Sequence, residues 1–239
     1  MTDGLWWSDD HEDQGSSALA YGRIRRAIVE GRYAPGTRLV EQTVSEELSL
    51  SRTPVREALR RLEVEGLVLF RRNRGAVVRS AGADDIRDLY ELRARLESYA
   101  AELAAERGTP GDVDTVTTAA REFDRAVDDI PSDRPPTSEA VWAVHEANGA
   151  FHGAIVVAAR HERLHQLLVR AVDVPLVFQA FHRFEVAELA RSAMFHHMIE
   201  RAVASGDGAR AGRLMAEHVL LGRDRLLSEG AEVGRIEGP

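Results

Sequence analysis

There is no cysteine in the 239 residues, which rules out disulfides and any metal site built on thiolates. There is no lysine either. All 31 basic side chains are arginine, and that reads as compositional bias, not design. No apolar run approaches the roughly 20 residues needed to cross a bilayer. The N-terminus lacks a basic stretch followed by an apolar core, so no export signal is expected and the cytoplasm is the expected location. What is present, 44% hydrophobic and 29% charged residues, reads as a soluble globular chain. Its length suits one large or two modest domains.

The net charge of −8 is unevenly spread. Residues 1–17 hold five acids and no base; residues 18–80 hold 13 Arg against 7 Glu; residues 81–239 hold 18 Arg against 27 acids. A basic segment beside an acidic remainder suggests that one part meets a polyanion and the other does not.

Apolar periodicity predicts a first helix from Ala18, with Leu19, Ile24, Ala27 and Ile28 inward, closing at Gly31. After the turn "YAPGTRL" come a short helix near Glu41–Leu48 and a second over Ser51–Gly66. The stretch "LVLFRRNRGAVVRS" then gives two Val- and Leu-rich runs around a turn, a hairpin signal. "SAGADD" reads as a linker. Beyond it everything looks helical: a long helix ending at Gly108, then Asp112–Asp129, Ser138–Ala159, Glu162–Val172, Pro175–Leu189, Arg191–Ser205 and Gly208–Ser228. The expected fold is mainly α, an N-terminal winged helix-turn-helix followed by an all-α helical bundle. The expected division is an acidic tail (1–17), a DNA-binding domain (18–80), a helical domain (84–229) and a second tail (230–239).

In "SRTPVREALRRLEVEG", Val55, Ala58, Leu59 and Leu62 fall at i, i+3, i+4 and i+7, so one face is core. Thr53 is expected to cap this helix with Pro54 in its first position. Arg56 and Arg60 point away from the core face, and Arg52 stands at the N-terminal end. Such a helix suits the major groove, where Arg pairs bidentately with guanine while Thr and the helix N-terminus hold phosphate. In the hairpin, Arg74 beside Gly75 is placed to approach the backbone or minor groove. Residues 24–78 as a block, with "SRTPVREAL..LE.EGLV" and "NRGA.V", closely resemble the winged helix-turn-helix of the GntR family of bacterial transcription regulators. The resemblance implies that Arg52, Thr53, Arg56 and Gly75 touch DNA. Where some members carry an arginine after the acidic residue matching Glu41, this chain has Gln42.

In the acidic half, Asn148 and His152 lie i, i+4 on the same side as Val141, Val156 and Ala159. His196 shares a face with Ile199 and Val203, and His218 with Leu214 and Leu221. Three inward imidazoles and an amide are costly to bury without partners. Two readings stand. Each His is a singly hydrogen-bonded core residue, or the set binds a divalent cation, with Zn²⁺ or Ni²⁺ suited to imidazole. The motifs "LYELRARLE", "N…FH", "FH..I..AV.SGD" and "A..LM.EH" resemble the FadR-type effector-binding domain known as FCD. That resemblance implies a metal held by Asn148, His152, His196 and His218, with Asn replacing the commoner Asp and removing a negative charge. It also implies an arginine at Arg93 facing the pocket. Arg93 could clamp an effector's carboxylate or pair with Glu97 at i+4, and His145 is placed to line the same pocket.

The implied whole is a homodimer reading a near-palindromic operator in double-stranded DNA, governed by a small carboxylate metabolite, with no membrane partner. One competing class is a metal-dependent hydrolase carrying a DNA-binding appendage. "HERLH" (His161–His165) fits the H-E-x-x-H pattern, with Glu162 as base and Glu185 as a third ligand. Glu200, near His196, is the other carboxylate that could activate a metal-bound water.

Overall fold

Thirteen residues from Arg52 to Val64 form a helix because their apolar side chains repeat on one face and their charges lie on the other. The computed structural model in which this is seen describes residues 15–71, 75–131, 136–171, 177, 180 and 184–228. Its helices are α1 (Ser16–Val29), α2 (Glu41–Leu48), α3 (Arg52–Val64), α4 (Ala83–Arg107), α5 (Pro110–Asp128), α6 (Ser138–Ala158), α7 (Glu162–Ala171), α8 (Val186–Ala204) and α9 (Gly208–Ser228). Three strands, β1 (Arg38–Leu39), β2 (Val68–Arg71) and β3 (Gly75–Val78), pair antiparallel in the order β1-β3-β2. The winged helix-turn-helix and the helical array behind it are both as expected. Arg74, the body of the acidic tail, the second tail (230–239) and residues 175–176, 178–179 and 181–183 of the expected Pro175–Leu189 helix fall outside the described residues.

Several helix ends differ from expectation for identifiable reasons. Ser51, in extended conformation, precedes the first helical residue of α3, and its side chain makes no capping bond. Thr53 is therefore inside the helix and Pro54 is its third residue, a place where the missing N–H still leaves no intrahelical bond unmade. α5 begins at Pro110, two residues early, because Thr109 and Asp112 form a reciprocal capping box. The predicted break near Ala190 is absent: α8 runs through it, since "VAELARSAMF" contains neither Gly nor Pro and Glu185 with Glu188 caps its start.

α1, α3 and the sheet enclose a small core that includes Ile24, Leu39, Val55, Leu59, Leu62 and Val78, all nearly or fully buried. The Tyr21 hydroxyl donates to Glu65 (2.8 Å), and Arg61 lies 3.9 Å over the Tyr21 ring, fixing α1 across α3. Leu19, expected inward, is 46% exposed; its neighbour Ala20 takes the core position. Between α2 and α3 the chain turns at Ser49, whose φ of 55° lies in the left-handed region.

In the helical half, α4 runs through the middle with a buried stripe of Ile86, Tyr90, Arg93, Ala94, Glu97, Ala100, Ala101 and Ala104. α9 lies close along it because its facing residues are small. A Cβ on Gly212 would sit 2.6 Å from Glu102 Oε1, and one on Gly222 would sit 3.1 Å from the Tyr90 ring. That close approach sets His218, one turn before Gly222, against the middle of α4.

Candidate metal centre and nucleic-acid interface

Three helices each deliver one imidazole to a common point: α6 gives His152, α8 gives His196 and α9 gives His218. The His218 Nε2 lies 3.1 Å from the Nε2 of His152 and 3.1 Å from that of His196. All three side chains are buried, and their ligating nitrogens lie within 4.8 Å of one another. Nitrogens bonded to one ion at about 2.0–2.1 Å stand about 2.9–3.4 Å apart, so this spacing matches three donors around one cation.

The surroundings dispose each ring for that use. The Nδ1 of His152 is hydrogen-bonded to a carboxylate oxygen of Glu97. An ionised carboxylate only accepts, so the proton of the neutral ring is on Nδ1 and the lone pair of Nε2 faces inward. Glu97 is itself gripped by Arg93 at 2.9 Å. Burial alone would raise the Glu97 carboxyl, but the Arg93 guanidinium and His152 outweigh it and hold it down at about 2. His196 is stacked on Phe151, with ring centroids 3.9 Å apart, and meets Phe123 edge-on at 4.4 Å. Burial, and after it the neighbouring imidazoles, pushes His196 and His218 well below the ordinary histidine range. Both rings are thus neutral at physiological pH, the form that ligates.

Hydrogen bonding among the rings themselves does not satisfy this group. The Nδ1 atoms of His196 and His218 are buried without a hydrogen-bond partner, and so are Asn148 Oδ1 and Ser192 Oγ. His218 Nε2 can give a proton to only one of its two Nε2 neighbours, so without a metal one of these contacts is left unsatisfied at about 1–3 kcal/mol. A cation accepting all three Nε2 lone pairs would remove that conflict, and Asn148 Oδ1, one turn before His152 and buried without a hydrogen-bond partner, could serve such an ion as a further oxygen donor. The residues present fit a divalent metal.

Beside this centre opens a cleft holding about 450 Å³ of empty space, open solvent at its mouth included. Its wall includes Tyr90, Arg93, Asn148, His152, Ser192 and His218. Arg191 and Glu188 are at its edge, with Arg225 3.5 Å from Glu188. Arg93 therefore has both of the features foreseen for it, the bond to Glu97 and a place on the wall. His145 does not line this cavity. It is fully buried, tilted against Trp142 at 5.6 Å, with Arg25 of α1 and Arg93 of α4 both close enough to act on it. Trp142 and Asn148 are six residues apart on α6, so the side bearing His145 turns toward the winged helix.

Glu97 and Ser192 were not picked out from sequence as part of this site. The signal was present for Glu97: with Arg93 it interrupts an otherwise apolar stripe of α4 at i, i+4, where a charged pair must face a partner. Replacing Glu97 with glutamine keeps its shape but no longer fixes the His152 tautomer. The expected result is a loss of about 10–100-fold in metal affinity with the fold retained, read by competition against a chromophoric chelator. Unaltered affinity would reduce Glu97 to a structural partner of Arg93.

The carboxylates of the hydrolase alternative are engaged elsewhere. Glu200 accepts from Thr117 at 2.9 Å between α8 and α5. His161 Nδ1 accepts the backbone N–H of Leu164 at 3.2 Å, capping α7, and Glu162 accepts from Gln166 at 2.9 Å. "HERLH" is the start of a helix, and its residues are not gathered around the three imidazoles.

On the basic module, the exposed end of α3 is tied to α2. Arg56 makes a forked pair with Glu41, Nη2 at 2.8 Å and Nε at 3.0 Å, and Arg52 Nη2 donates to Gln42 Oε1 at 2.9 Å. Gln42 thus takes up Arg52, where an arginine would have repelled it. Thr53 and Arg60 are exposed beside them, and Gly75 opens β3 with a φ of 68°, a conformation that suits glycine.

The gntR family of bacterial regulatory proteins matches residues 17–78, and the FCD domain matches residues 88–221. Among curated relatives, the HTH-type regulator YdhC of Bacillus subtilis is 26% identical over 154 residues, 64% of this chain and 65% of that protein. The Nta operon regulator of Aminobacter aminovorans is 42% identical over 85 residues, 36% of this chain and 40% of that one. This chain therefore aligns with less than two thirds of the length of both. A regulator from the ttuE–ttuC′ intergenic region of Agrobacterium vitis is 30% identical over 63% of this chain and 85% of its own. Two solved structures share the fold. McbR/YncC of Escherichia coli has a TM-score of 0.70 at 22% identity over 90% of this chain and 98% of that one. A GntR-type regulator from Rhodococcus sp. RHA1 has a TM-score of 0.66 at 26% identity over 89% and 97%. The chain belongs to the GntR family of bacterial regulatory proteins, with an FCD domain behind its winged helix.

Proposed function

We propose that this protein is a homodimeric transcription regulator whose operator affinity is set by a small carboxylate bound beside a divalent metal. The observation that carries the sensing half is the buried meeting of three Nε2 atoms next to a cavity. His152, His196, His218 and Asn148 hold the ion, with Zn²⁺ or Ni²⁺ the best matched to the donor set. Some FCD domains bind metals. When bound, the ion supplies a Lewis-acidic site for a carboxylate or hydroxyl oxygen of the effector. Arg93 and Arg191 offer guanidinium donors on the cavity wall, each beside an acid, Glu97 and Glu188, so the net positive charge that an organic acid needs comes with the ion.

Residues 18–80 serve as the reader and residues 84–229 as the sensor. Regulators of this family bind DNA operators and typically dimerise, and two-fold symmetry suits a near-palindromic operator. Arg52, Thr53 and Arg56 enter the major groove from α3, while the wing at Arg74 and Gly75 follows the backbone. A protein that reads the chromosome works in the cytoplasm of a bacterium. The effector alters DNA affinity only by preferring one arrangement of the winged helices over another.

The test is fragment selection from genomic DNA against random competitor at physiological salt, followed by a screen of small organic acids on the captured fragment. A preferred fragment, bound at least about 10³-fold more tightly than random DNA and released by one class of acid only when metal is loaded, is the expected result. Absence of any preferred fragment overturns the regulator reading. Release by an acid from metal-stripped protein removes the metal from the response.

A further inference from the structure

α1 belongs to two cores at once. Ala20, Tyr21, Ile24 and Ile28 pack inside the winged helix, but Val29, 1% exposed, is seated in a different apolar cluster with Phe123, Val141, Val144 and Leu189 of the helical half. Alongside it, the Arg26 guanidinium lies 5.6 Å over the Trp142 ring of α6, with Glu139 and Glu146 nearby. Arg25, 9% exposed with its Nε unpartnered, lies beside His145. Burial, and after it Arg25, holds His145 down at about 3, so this neighbour of a buried cation is neutral and does not repel it. The first helix of the DNA-binding module is thus gripped from behind.

The same surfaces reach the three-histidine centre by two routes. Along α6, Trp142 and His145 precede Asn148 and His152, and at 1.5 Å per residue about 15 Å of one continuous helix separates Trp142 from His152. Across the bundle, His196 meets Phe123 at 4.4 Å, and Phe123 is in the cluster that seats Val29. An ion that fixes the three rings must also fix the faces of α6 and Phe123 that hold α1, because close-packed side chains shift together or not at all.

We propose that the Val29–Phe123–Val141–Val144 cluster and the Arg26–Trp142 pair form the joint through which occupancy of the histidine centre is felt by α1, and so by the DNA-reading surface. The proposal rests on the metal reading above. It assigns Trp142, Arg26 and Val29 a coupling role distinct from contact with ion, effector or DNA.

Hydrogen exchange on the full chain, chelator-stripped and then loaded with Zn²⁺ alone, separates the possibilities. In the wild type, Zn²⁺ slows exchange in α6, α8 and α9, and also in α1 by about fivefold or more, the low end of ordinary coupling between sites. Trp142→Ala, at a half-buried position, and Arg26→Ala, at an exposed one, bind Zn²⁺ within about threefold of the wild-type affinity and show the slowing in α6 but not in α1. Slowing in α6 with α1 unchanged in the wild type overturns the joint while leaving the metal centre standing. A full α1 response in both variants overturns it too. Zn²⁺ that neither binds by elemental analysis nor slows any helix overturns the metal reading itself, and the joint falls with it.

Discussion

His218→Ala should weaken metal binding about 10²-fold and remove about two thirds of the thermal stabilisation that metal confers. His218 is the ring whose Nε2 lies within 3.1 Å of both others, so its removal leaves two donors that no longer share a neighbour. If about 10–16 kcal/mol of binding is spread over four ligands, each one is worth about 3 kcal/mol, or on the order of 10²-fold in affinity. Saturating metal at about 10³ times its dissociation constant stabilises the native state by about 4 kcal/mol. For a chain of this length that is a shift of roughly 10 °C in unfolding midpoint. The wild type should show that shift on adding Zn²⁺ or Ni²⁺ after chelation, and the variant, left at about ten times its weakened dissociation constant, should keep only about a third of it. The comparison also separates the two sequence readings of the histidines. If they were merely hydrogen-bonded core residues, the wild-type midpoint would ignore chelator and metal, and the variant would be destabilised equally under both conditions.

How much of this was legible beforehand depends on the distance over which each signal acts. The winged helix was readable because its determinants are local: a 3.6-residue apolar repeat in α3, a turn between α2 and α3, a hairpin around a glycine. The inward facing of His152, His196 and His218 was readable for the same reason, each from neighbours on its own helix. That the three meet was legible only through the resemblance to FCD domains and not from periodicity, because it depends on how closely α9 approaches α4, and that is decided by Gly212 and Gly222 against Glu102 and Tyr90. The role of Glu97 was hidden behind its i, i+4 relation to Arg93, which explained it sufficiently without His152. His145 was placed on the cavity wall by proximity to Asn148, one turn away, but three residues turn a helix by about 300°, and small differences in that angle decide between the cavity and α1. The join between the two halves left no trace in the periodicity, since Val29 looks like any other residue of an amphipathic helix.

Arg56→Ala should cost about 1–3 kcal/mol at each half-site, so a symmetric dimer should lose between about 30-fold and 10⁴-fold in affinity for its selected operator. Binding to random DNA should fall far less. The reason lies in the fork between Arg56 and Glu41. It holds an otherwise floppy side chain along the exposed edge of α3, so little rotamer freedom remains to be lost when a base is met. The side chain is 53% exposed even so, and Nη1 is outside the fork and available to face guanine. Arg56→Lys keeps the charge and discards the fork. It should retain the salt dependence of binding and lose the sequence preference, because the preference comes from planar bidentate pairing and the salt dependence from charge. Glu41→Ala should fall between the wild type and Arg56→Ala, since it frees the arginine without removing it. Operator affinity measured by fluorescence anisotropy at several salt concentrations distinguishes these outcomes. If Arg56→Ala instead lowered affinity for operator and random duplex by the same factor and reduced the salt slope by about one, Arg56 would be a phosphate contact. The reading of sequence by α3 would then pass to Arg52 and Thr53.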